Sequence, residues 1–322
     1  MHPPFPINSK ILNLVADISL LLGKYEGMHA PLPQPQLRRQ NQLKTIQGSL
    51  AIEGNTLDLE QVTAVFDEKR VVGPPKDILE VQNAIRLYRS WKKFDPTQVK
   101  DLLKAHSVLM ESLVLNPGKF RSGAVGVLKR SKVSHIAPPA KLVQKLMEDL
   151  FLFLKKDREL SLLIKASIFH YEFEFIHPFS DGNGRMGRFW QYLLLTHYHS
   201  AFEYIPVESL IKERQDHYYR ALEQSDKKGE STPFIEFSLQ TIRDALLEFL
   251  DKLKPMAETC ESRLILAQEE FQQREFSRRE YLQYFKTLST ATASRDLASG
   301  VSKGLLQKKG LKAVTRYHFK KK

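Results

Sequence analysis

The chain has 322 residues, of which 42% are hydrophobic and 27% charged, so it can bury a core and build two or three domains of ordinary size. Its single cysteine, Cys260, excludes an internal disulfide and a zinc site built from several thiolates. Apolar runs end within about ten residues, far short of the roughly 18 needed to span a membrane. The first residues lack the pattern of a secretory signal. We therefore expect a soluble, cytoplasmic protein with no membrane partner.

The net charge of +12 is concentrated at one end of the chain. Residues 301–322 carry eight Lys or Arg and no acidic residue, which leaves +4 for everything upstream. Basic segments attract polyanions such as nucleic acid. Any contact with DNA is therefore expected from the C-terminal part of the chain.

Apolar residues spaced three and four apart predict a mainly α-helical protein. Asp95 is predicted to cap the helix that opens with Pro96, because aspartate caps helices well and proline suits their first turn. The predicted helices, in chain order, are Ile11 to Leu22, Leu37 to Glu53, Leu59 to Lys69, Ile78 to Lys93, Pro96 to Leu113, Lys141 to Lys155, Leu160 to Phe175, Arg185 to Tyr198, Glu208 to Gln224 and Pro233 to Leu253.

One β-hairpin is predicted between Gly123 and Ala137. Two short runs with β-branched residues flank a Lys-Arg-Ser-Lys turn, and a double proline ends the second run. The predicted fold class is therefore mainly α, a helical core that carries a single hairpin.

The sequence HPFSDGNGRMGR, residues 177–188, has the composition of a phosphate site. Gly182, Asn183 and Gly184 allow a tight turn whose backbone amides lie at the start of a helix, a place that attracts anions. Arg185 and Arg188 are three residues apart, hence on one face of that helix, and we expect them to face out over the loop. Two guanidinium groups beside such a turn suit a polyphosphate.

Two further side chains of this loop have the chemistry of a transfer reaction. Asp181 offers a hard oxygen ligand for Mg²⁺, and His177 is a base that titrates near neutral pH. Phe179 is expected to anchor the loop in the core. His170 and Glu174, one helical turn apart, are interpreted as a structural pair because no third metal ligand lies near them.

At this point the residues carry a resemblance to a known family. The stretch resembles the signature of the Fic (filamentation induced by cyclic AMP) family, His-x-Phe-x-Asp/Glu-Gly-Asn-Gly-Arg-x-x-Arg. The sequence matches that signature at every defined position, namely His177, Phe179, Asp181, Gly182, Asn183, Gly184, Arg185 and Arg188. Eight fixed positions make this far more specific than the Gly-x-Gly-x-x-Gly dinucleotide pattern that the same stretch contains.

The resemblance implies a protein adenylyltransferase, which moves AMP from ATP to a Ser, Thr or Tyr hydroxyl of a target protein or of the enzyme itself. It implies that His177 takes the proton of the attacking hydroxyl, that Asp181 holds Mg²⁺ on the α- and β-phosphates, and that Arg188 holds the γ-phosphate. The implied phosphate cradle consists of the amides of Gly182, Asn183 and Gly184 with Asn183 and Arg185.

The hairpin resembles the family's target-docking flap, whose free edge can pair with an extended peptide. His135 and Ile136 are the candidate contacts with the target. The alternative is an ordinary two-stranded hairpin that has no docking role.

A second signal lies at the end of the helix from Leu37 to Glu53. A carboxylate at a helix C-terminus is disfavoured by about 0.3 to 1 kcal/mol, so Glu53 is expected to have a cationic partner or to lie in water. Ser49-Leu-Ala-Ile-Glu53-Gly54 resembles the family's inhibitory motif, [Ser/Thr]-x-x-x-Glu-[Gly/Asn]. The resemblance implies that Glu53 pairs with Arg188, so that ATP binds in an unproductive pose.

The basic C-terminal segment resembles a winged helix-turn-helix. A capping box from Ser277 to Glu280 predicts the start of its second helix. This resemblance implies DNA contacts, and dimerisation or protein docking is the alternative. The predicted helices are Ala257 to Gln273, Ser277 to Phe285 and Ser289 or Thr290 to Ser299, and the strands are Leu305 to Lys308 and Val314 to Phe319. The implied DNA contacts are Thr290, Thr292, Ser294 and Arg295 in a groove and Lys308, Lys309, Lys312 and Arg316 on the backbone.

Three domains are therefore predicted: an N-terminal helical region, 1–95, a catalytic core, 96–255, and a winged helix, 256–322. The predicted function is protein adenylylation with ATP and Mg²⁺, inhibited by Glu53. The alternatives are a DNA-binding regulator whose core senses a nucleotide, an enzyme that transfers another nucleotide, and one that removes AMP with Glu53 orienting water. Homodimerisation is a further possibility that the sequence leaves open.

Overall fold

The computed structural model describes residues 3–27, 35–123, 126–129, 132–253, 259–272, 274–285, 288–310 and 315–320. Of residues 126–129, 132–136 and 269 it describes the backbone alone. The chain forms two compact units, residues 1–251 and residues 252–322. The predicted N-terminal region and almost all of the predicted core lie in the first unit, and the division into three domains stays a prediction.

The first unit is a bundle of helices, as the sequence predicts. No helix within the described ranges has the length and apolar character of a membrane span. The cytoplasmic location stays a prediction. The helices are α1 Ser9–Gly27, α2 Pro35–Ile52, α3 Leu59–Phe66, α4 Pro75–Arg89, α5 Val99–Leu109, α6 Ala140–Lys156, α7 Leu162–Ile176, α8 Asn183–Tyr198, α9 Val207–Glu213, α10 Gln215–Lys228 and α11 Thr232–Leu253.

The prediction that Asp95 caps α5 is wrong. The helix begins at Val99, because the Asp95 carboxylate is already used in a turn of its own, where it accepts hydrogen bonds from the amide and hydroxyl of Thr97, each at 2.8 Å. Aspartate side chains compete with helical backbone bonds in this way. The backbone amide of Asp95 in turn donates to Asp101, at 3.0 Å.

The prediction of one continuous helix from Glu208 to Gln224 is also wrong. Arg214, with φ −106° and ψ 29°, interrupts it and separates α9 from α10. The apolar spacing continues across the break, so the periodicity alone gives no sign of it.

Helix α8 lies at the centre of the bundle. All of its residues from 185 to 196 are buried, including fully buried Phe189 and Trp190. The Trp190 indole N–H donates to the carbonyl of Pro96, at 3.1 Å, which ties α8 to the segment before α5. Because α8 has no solvent-facing stripe, every polar side chain on it must find a partner inside the protein.

The predicted hairpin is present. Strands β1, Gly126–Lys129, and β2, Lys132–Ile136, pair antiparallel, with an irregularity between Val127 and Leu128. The two residues at its tip lie outside the described ranges.

The second unit contains α12 Cys260–Phe271, α13 Arg278–Tyr284, α14 Thr290–Ser302 and a hairpin of β3 Leu306–Lys309 and β4 Arg316–Phe319. The predicted capping box is confirmed: Ser277 and Glu280 bond each other's backbone amides. The Arg263 guanidinium pairs with the buried Asp296 carboxylate, at 2.5 and 2.7 Å. This order of elements suits a winged helix, which stays a prediction. Lys312, one of the predicted DNA contacts, lies outside the described ranges.

Candidate active site

The stretch that resembles the family signature begins where α7 ends. Its residues 177–182, between α7 and α8, are called the signature loop. His177 follows α7 with φ 50° and ψ 60°, a left-handed conformation that is uncommon for residues other than glycine. Its amide donates to the carbonyl of Phe173, at 2.9 Å, and its carbonyl accepts from Nε of Arg121, at 2.7 Å. Both backbone groups are thus held, and the half-buried imidazole is carried at a sharp turn out of the helix.

Asn183 closes the loop on itself. Its side-chain oxygen accepts from the amide of Phe179, at 2.8 Å, and its side-chain nitrogen donates to the carbonyl of the same residue, at 2.9 Å. The side chain is 2% exposed. Its side-chain oxygen and nitrogen thus both bond the loop, while its backbone N–H lies at the helix N-terminus, and its predicted cradle role stays a prediction.

The backbone amides at the start of α8 divide into two kinds. The Gly182 amide already donates to the carboxylate of Asp181, at 2.6 Å. The amides of Asn183 and Gly184 donate to no acceptor among the described residues, as expected for the first N–H groups of a helix. Of the three predicted cradle amides, these two are therefore the ones that can still donate to an anion, and the anion site itself stays a prediction.

His106, which the sequence did not point to, supports the loop by contacts with Asp181 and Phe179. Its Nε2 lies 3.1 Å from the Asp181 carbonyl, and its Nδ1 accepts from the amide of Gly118, at 2.8 Å. An accepting Nδ1 requires the neutral ring, and burial lowers the pKa of His106 to about 4. The ring stacks on Phe179, whose predicted anchoring role is confirmed, with centroids 3.6 Å apart.

Arg121, also missed, connects the loop to the hairpin. The residue is 6% exposed, and its guanidinium donates to the carbonyls of His177, Gly123 and Pro138, at 2.7, 2.8 and 2.5 Å. Gly123 precedes β1 and Pro138 follows β2, so one buried side chain fixes both ends of the hairpin to the histidine. Nothing in the sequence distinguishes it from the other arginines.

Arg185 and Arg188 are both buried, 6% and 1% exposed, so the prediction that they face out over the loop is wrong. The reason is that α2 and α4 cover this face of α8. Arg185 pairs with Glu80 of α4, at 2.9 Å, and with Asp181, at 3.0 Å. It remains next to the loop, held between two carboxylates.

Arg188 contacts the end of α2. Its Nε donates to the hydroxyl of Ser49, at 3.1 Å, and its Nη2 to the Ser49 carbonyl, at 2.9 Å, and to the carboxylate of Glu53, at 2.8 Å. Burial by itself lowers the pKa of Arg188, but electrostatic interaction with Glu53, Tyr218 and Glu174 raises it above its usual value. The expected cationic partner of Glu53 is therefore present.

Glu53 also lies over the start of α8. A Cβ built on Gly184 would lie 2.1 Å from the Glu53 carboxylate oxygen. The carboxylate thus fills the space beside the two unbonded amides and the arginine, at the end of α8 where negative charge is favoured. An internal anion occupies the place predicted for phosphate.

Asp181 is the candidate Mg²⁺ ligand. One carboxylate oxygen bonds the Gly182 amide and Arg185, while the side chain as a whole is 48% exposed. No cluster of three or more His, Cys, Asp or Glu suited to a metal is found among the described residues. A single exposed carboxylate fits Mg²⁺ that takes its other ligands from water and nucleotide phosphates.

His170 is confirmed as a structural residue. It is fully buried between the side-chain oxygen of Gln191, 2.6 Å from its Nδ1, and the Tyr218 hydroxyl, 3.1 Å from its Nε2, and that Nε2 lies 3.9 Å from Glu174. Burial lowers the pKa of His170 to about 3, so it stays neutral.

The loop, Ser49 and Glu53 are thus brought together by the fold. His135 and Ile136 lie in β2, whose backbone pairs with β1, and their side chains are outside what the structure describes.

Comparison with known proteins matches this arrangement to a family. The model of the Fic/DOC family matches residues 96–195. A crystal structure of a Fic family protein from Desulfovibrio desulfuricans G20 aligns with 100% of this chain and 99% of its own, with 40% sequence identity and a TM-score of 0.77. The chain belongs to the Fic/DOC family. The predicted family and the helical Fic fold are thereby confirmed.

Named Fic relatives extend beyond this chain. The protein adenylyltransferase Fic of Nematostella vectensis is 32% identical over 217 residues, 64% of this chain and 48% of its own length. The protein adenylyltransferase fic-1 of Caenorhabditis elegans is 25% identical over 260 residues, 77% of this chain and 48% of its own. The chain spans about half the length of these relatives. A structure of C. elegans Fic-1 shares the fold, with a TM-score of 0.61 at 19% identity.

Proposed function

We propose that this Fic protein is an adenylyltransferase that transfers AMP from ATP to a Ser, Thr or Tyr hydroxyl of a protein. One observation carries the proposal: His177 opens a loop that ends in unbonded amides at the start of α8, with Arg185 and Arg188 beside them. Relatives that match most of the chain bear the name protein adenylyltransferase, which supports the same activity.

The reaction follows from what each group can do. His177 accepts the proton of the target hydroxyl, whose oxygen attacks the α-phosphorus. The bond from that phosphorus to the β-phosphate oxygen breaks, and pyrophosphate leaves. The amides of Asn183 and Gly184 and the Arg185 guanidinium offset the negative charge of the phosphates. Mg²⁺, when bound at Asp181, would supply further charge neutralisation.

The hairpin β1–β2 is the proposed docking site of the target. An extended segment of the target would pair with its free edge, near His135 and Ile136, and reach His177 with its hydroxyl. The Arg121 bonds between hairpin and loop support this arrangement, because they keep the two at a fixed distance.

Glu53 is the proposed inhibitor. Its carboxylate occupies the space beside Gly184 and binds Arg188, so the γ-phosphate and Glu53 compete for one guanidinium. Ser49 would support inhibition by holding Arg188 in place.

The test is mass spectrometry of the full chain incubated with ATP and Mg²⁺, alone and with candidate target proteins. We expect Glu53→Gly to raise the rate of AMP incorporation, including into the chain itself, by about 10-fold or more, in keeping with removal of a charged competitor. Glu53→Gly with His177→Ala is the matched control and is expected to transfer none. Label from GTP, CTP or UTP, or removal of AMP from modified protein, would identify the narrower alternatives.

A second proposal concerns the C-terminal unit, which we infer to bind double-stranded DNA. Thr290 and Arg295 are exposed on α14, and Lys308 and Lys309 are exposed on β3, which supports a groove contact flanked by backbone contacts. Fluorescence anisotropy with a labelled duplex tests it. Binding is expected to weaken by about 10-fold or more between roughly 50 and 200 mM salt and on Arg295→Ala with Lys308→Ala. Salt-independent or absent binding contradicts it.

A further inference from the structure

The end of α2 is held to the rest of the first unit through its backbone carbonyls. The last four carbonyls of a helix have no helical donor and need other partners. The Ser49 carbonyl accepts from Arg188, at 2.9 Å. The Leu50 carbonyl accepts from the amides of Glu53 and Asn55 within the turn itself, at 3.0 and 3.2 Å.

The last two carbonyls receive side chains from α9 and α10. The Lys212 ammonium donates to the carbonyl of Ala51, at 2.8 Å, and the Gln215 amide to that of Ile52, at 3.0 Å. Lys212 also donates to the Gln215 side-chain oxygen, at 2.9 Å, so the two side chains are bonded to each other. Glu53 follows Ile52 directly, so these bonds act on the residue next to the carboxylate.

Close packing brings Lys212 and Gln215 to this end of α2. A Cβ built on Gly48 would lie 2.9 Å from the backbone of Glu208, so α2 and α9 are in direct contact. The Ser209 hydroxyl donates to the Lys44 carbonyl, at 3.1 Å, further from the end of the helix. The positive charge of Lys212 is also favoured at the C-terminus of α2, where it bonds a terminal carbonyl.

We propose that Lys212 and Gln215 are positioning residues for Glu53, holding the carbonyl end of α2 where the carboxylate reaches Arg188. Neither side chain touches the signature loop in the described contacts, so their effect is on inhibition and not on transfer. The proposal rests on the inhibitory role of Glu53.

Initial rates of AMP incorporation test it in the full chain. Lys212→Met and Gln215→Ala are each expected to raise the rate about three- to tenfold, the effect of removing one hydrogen bond, which for Lys212 is also assisted by its charge. Lys212→Arg keeps the cation and is expected to stay near wild type. Added to Glu53→Gly, Lys212→Met is expected to change the rate less than twofold, since no carboxylate is left to position.

Ser209→Ala is the matched control, because it removes a hydrogen bond from α9 to α2 at a distance from Glu53. It is expected to leave the rate unchanged. If it activates as much as Lys212→Met, general loosening of α2 explains the result and the positioning role is wrong.

Hydrogen–deuterium exchange gives a readout independent of activity. Peptides covering residues 49–56 are expected to exchange faster in Lys212→Met than in wild type or Ser209→Ala. Activation by Glu53→Gly without activation or faster exchange in Lys212→Met overturns this proposal and leaves the proposed function intact. No activation by Glu53→Gly overturns the inhibitory role, and this proposal with it.

Discussion

The signature loop and the end of α2 meet at Arg188, but they are built in opposite ways. The loop is closed by bonds between neighbours in sequence, such as those of Asn183 to Phe179, and rests on buried His106 and Arg121. The end of α2 is held by side chains more than 130 residues away, including Arg188 and Lys212. This difference fits the proposed roles, because a catalytic loop needs a fixed geometry, whereas an inhibitory segment must be able to leave.

The largest expected effect comes from opening the loop. Asn183→Ala leaves the amide and carbonyl of buried Phe179 without partners, at a cost of about 1 to 3 kcal/mol for each unsatisfied group. Displacement of the loop by about 1 Å is expected to lower AMP transfer on the order of 100-fold, measured in the Glu53→Gly background.

The control for that loss is Asn41→Ala. Asn41 is equally buried and donates to the Tyr204 carbonyl, away from the loop. It is expected to lower the melting temperature without a comparable loss of transfer. Equal losses in both variants would show that Asn183 acts through overall stability.

A smaller effect is expected from protonation of His106, which packs against the loop. The pKa of His106 is about 4 in the folded chain, below the ordinary value of about 6.5 that it regains on unfolding. The unfolded chain therefore takes up the proton first as the pH falls, and stability is lost from about pH 6.5 down to the folded pKa. Above pH 6.5 the ring is neutral in both states and contributes no pH dependence.

Denaturant unfolding at pH 7 and pH 5 measures this effect. The wild type is expected to lose on the order of 2 kcal/mol more than His106→Gln over that interval. Comparing the change in unfolding free energy with pH in the two variants removes the contributions of other groups. One such group is Glu208, because burial raises its pKa to about 7. An equal loss of unfolding free energy in both variants would mean that His106 is not held neutral.

The smallest effect is expected at the end of α2. Glu53→Gln keeps an oxygen that can accept from Arg188 but removes the charge, and charge-assisted bonds are about twice as strong as neutral ones. Transfer is expected to rise about three- to tenfold, less than in Glu53→Gly. Exposed Glu60, changed to Gln, should have no effect. Equal rates in the Glu53→Gln and Glu53→Gly variants would show that charge alone carries the inhibition.

The sequence allowed the family, the helical fold, the hairpin and the contact of Glu53 with a cation to be predicted, because each depends on local spacing or a specific motif. Burial of Arg185 and Arg188 could not be predicted, since it depends on helices that cover α8 from far along the chain. His106 and Arg121 gave no signal because their partners are backbone groups, which any sequence supplies. The break at Arg214 left the apolar spacing intact.

If Glu53 inhibits as proposed, Arg188 is the common ligand of two anions, one tethered to the chain and one diffusible. A tethered competitor does not dilute, so raising the protein concentration leaves the balance unchanged, and nucleotide gains access only for the fraction of time that Glu53 has departed. The apparent affinity for ATP is then reduced by that fraction. Under the proposed function, the resting rate of transfer would then be set by how often the Glu53 side chain leaves Arg188, and not by the chemical step.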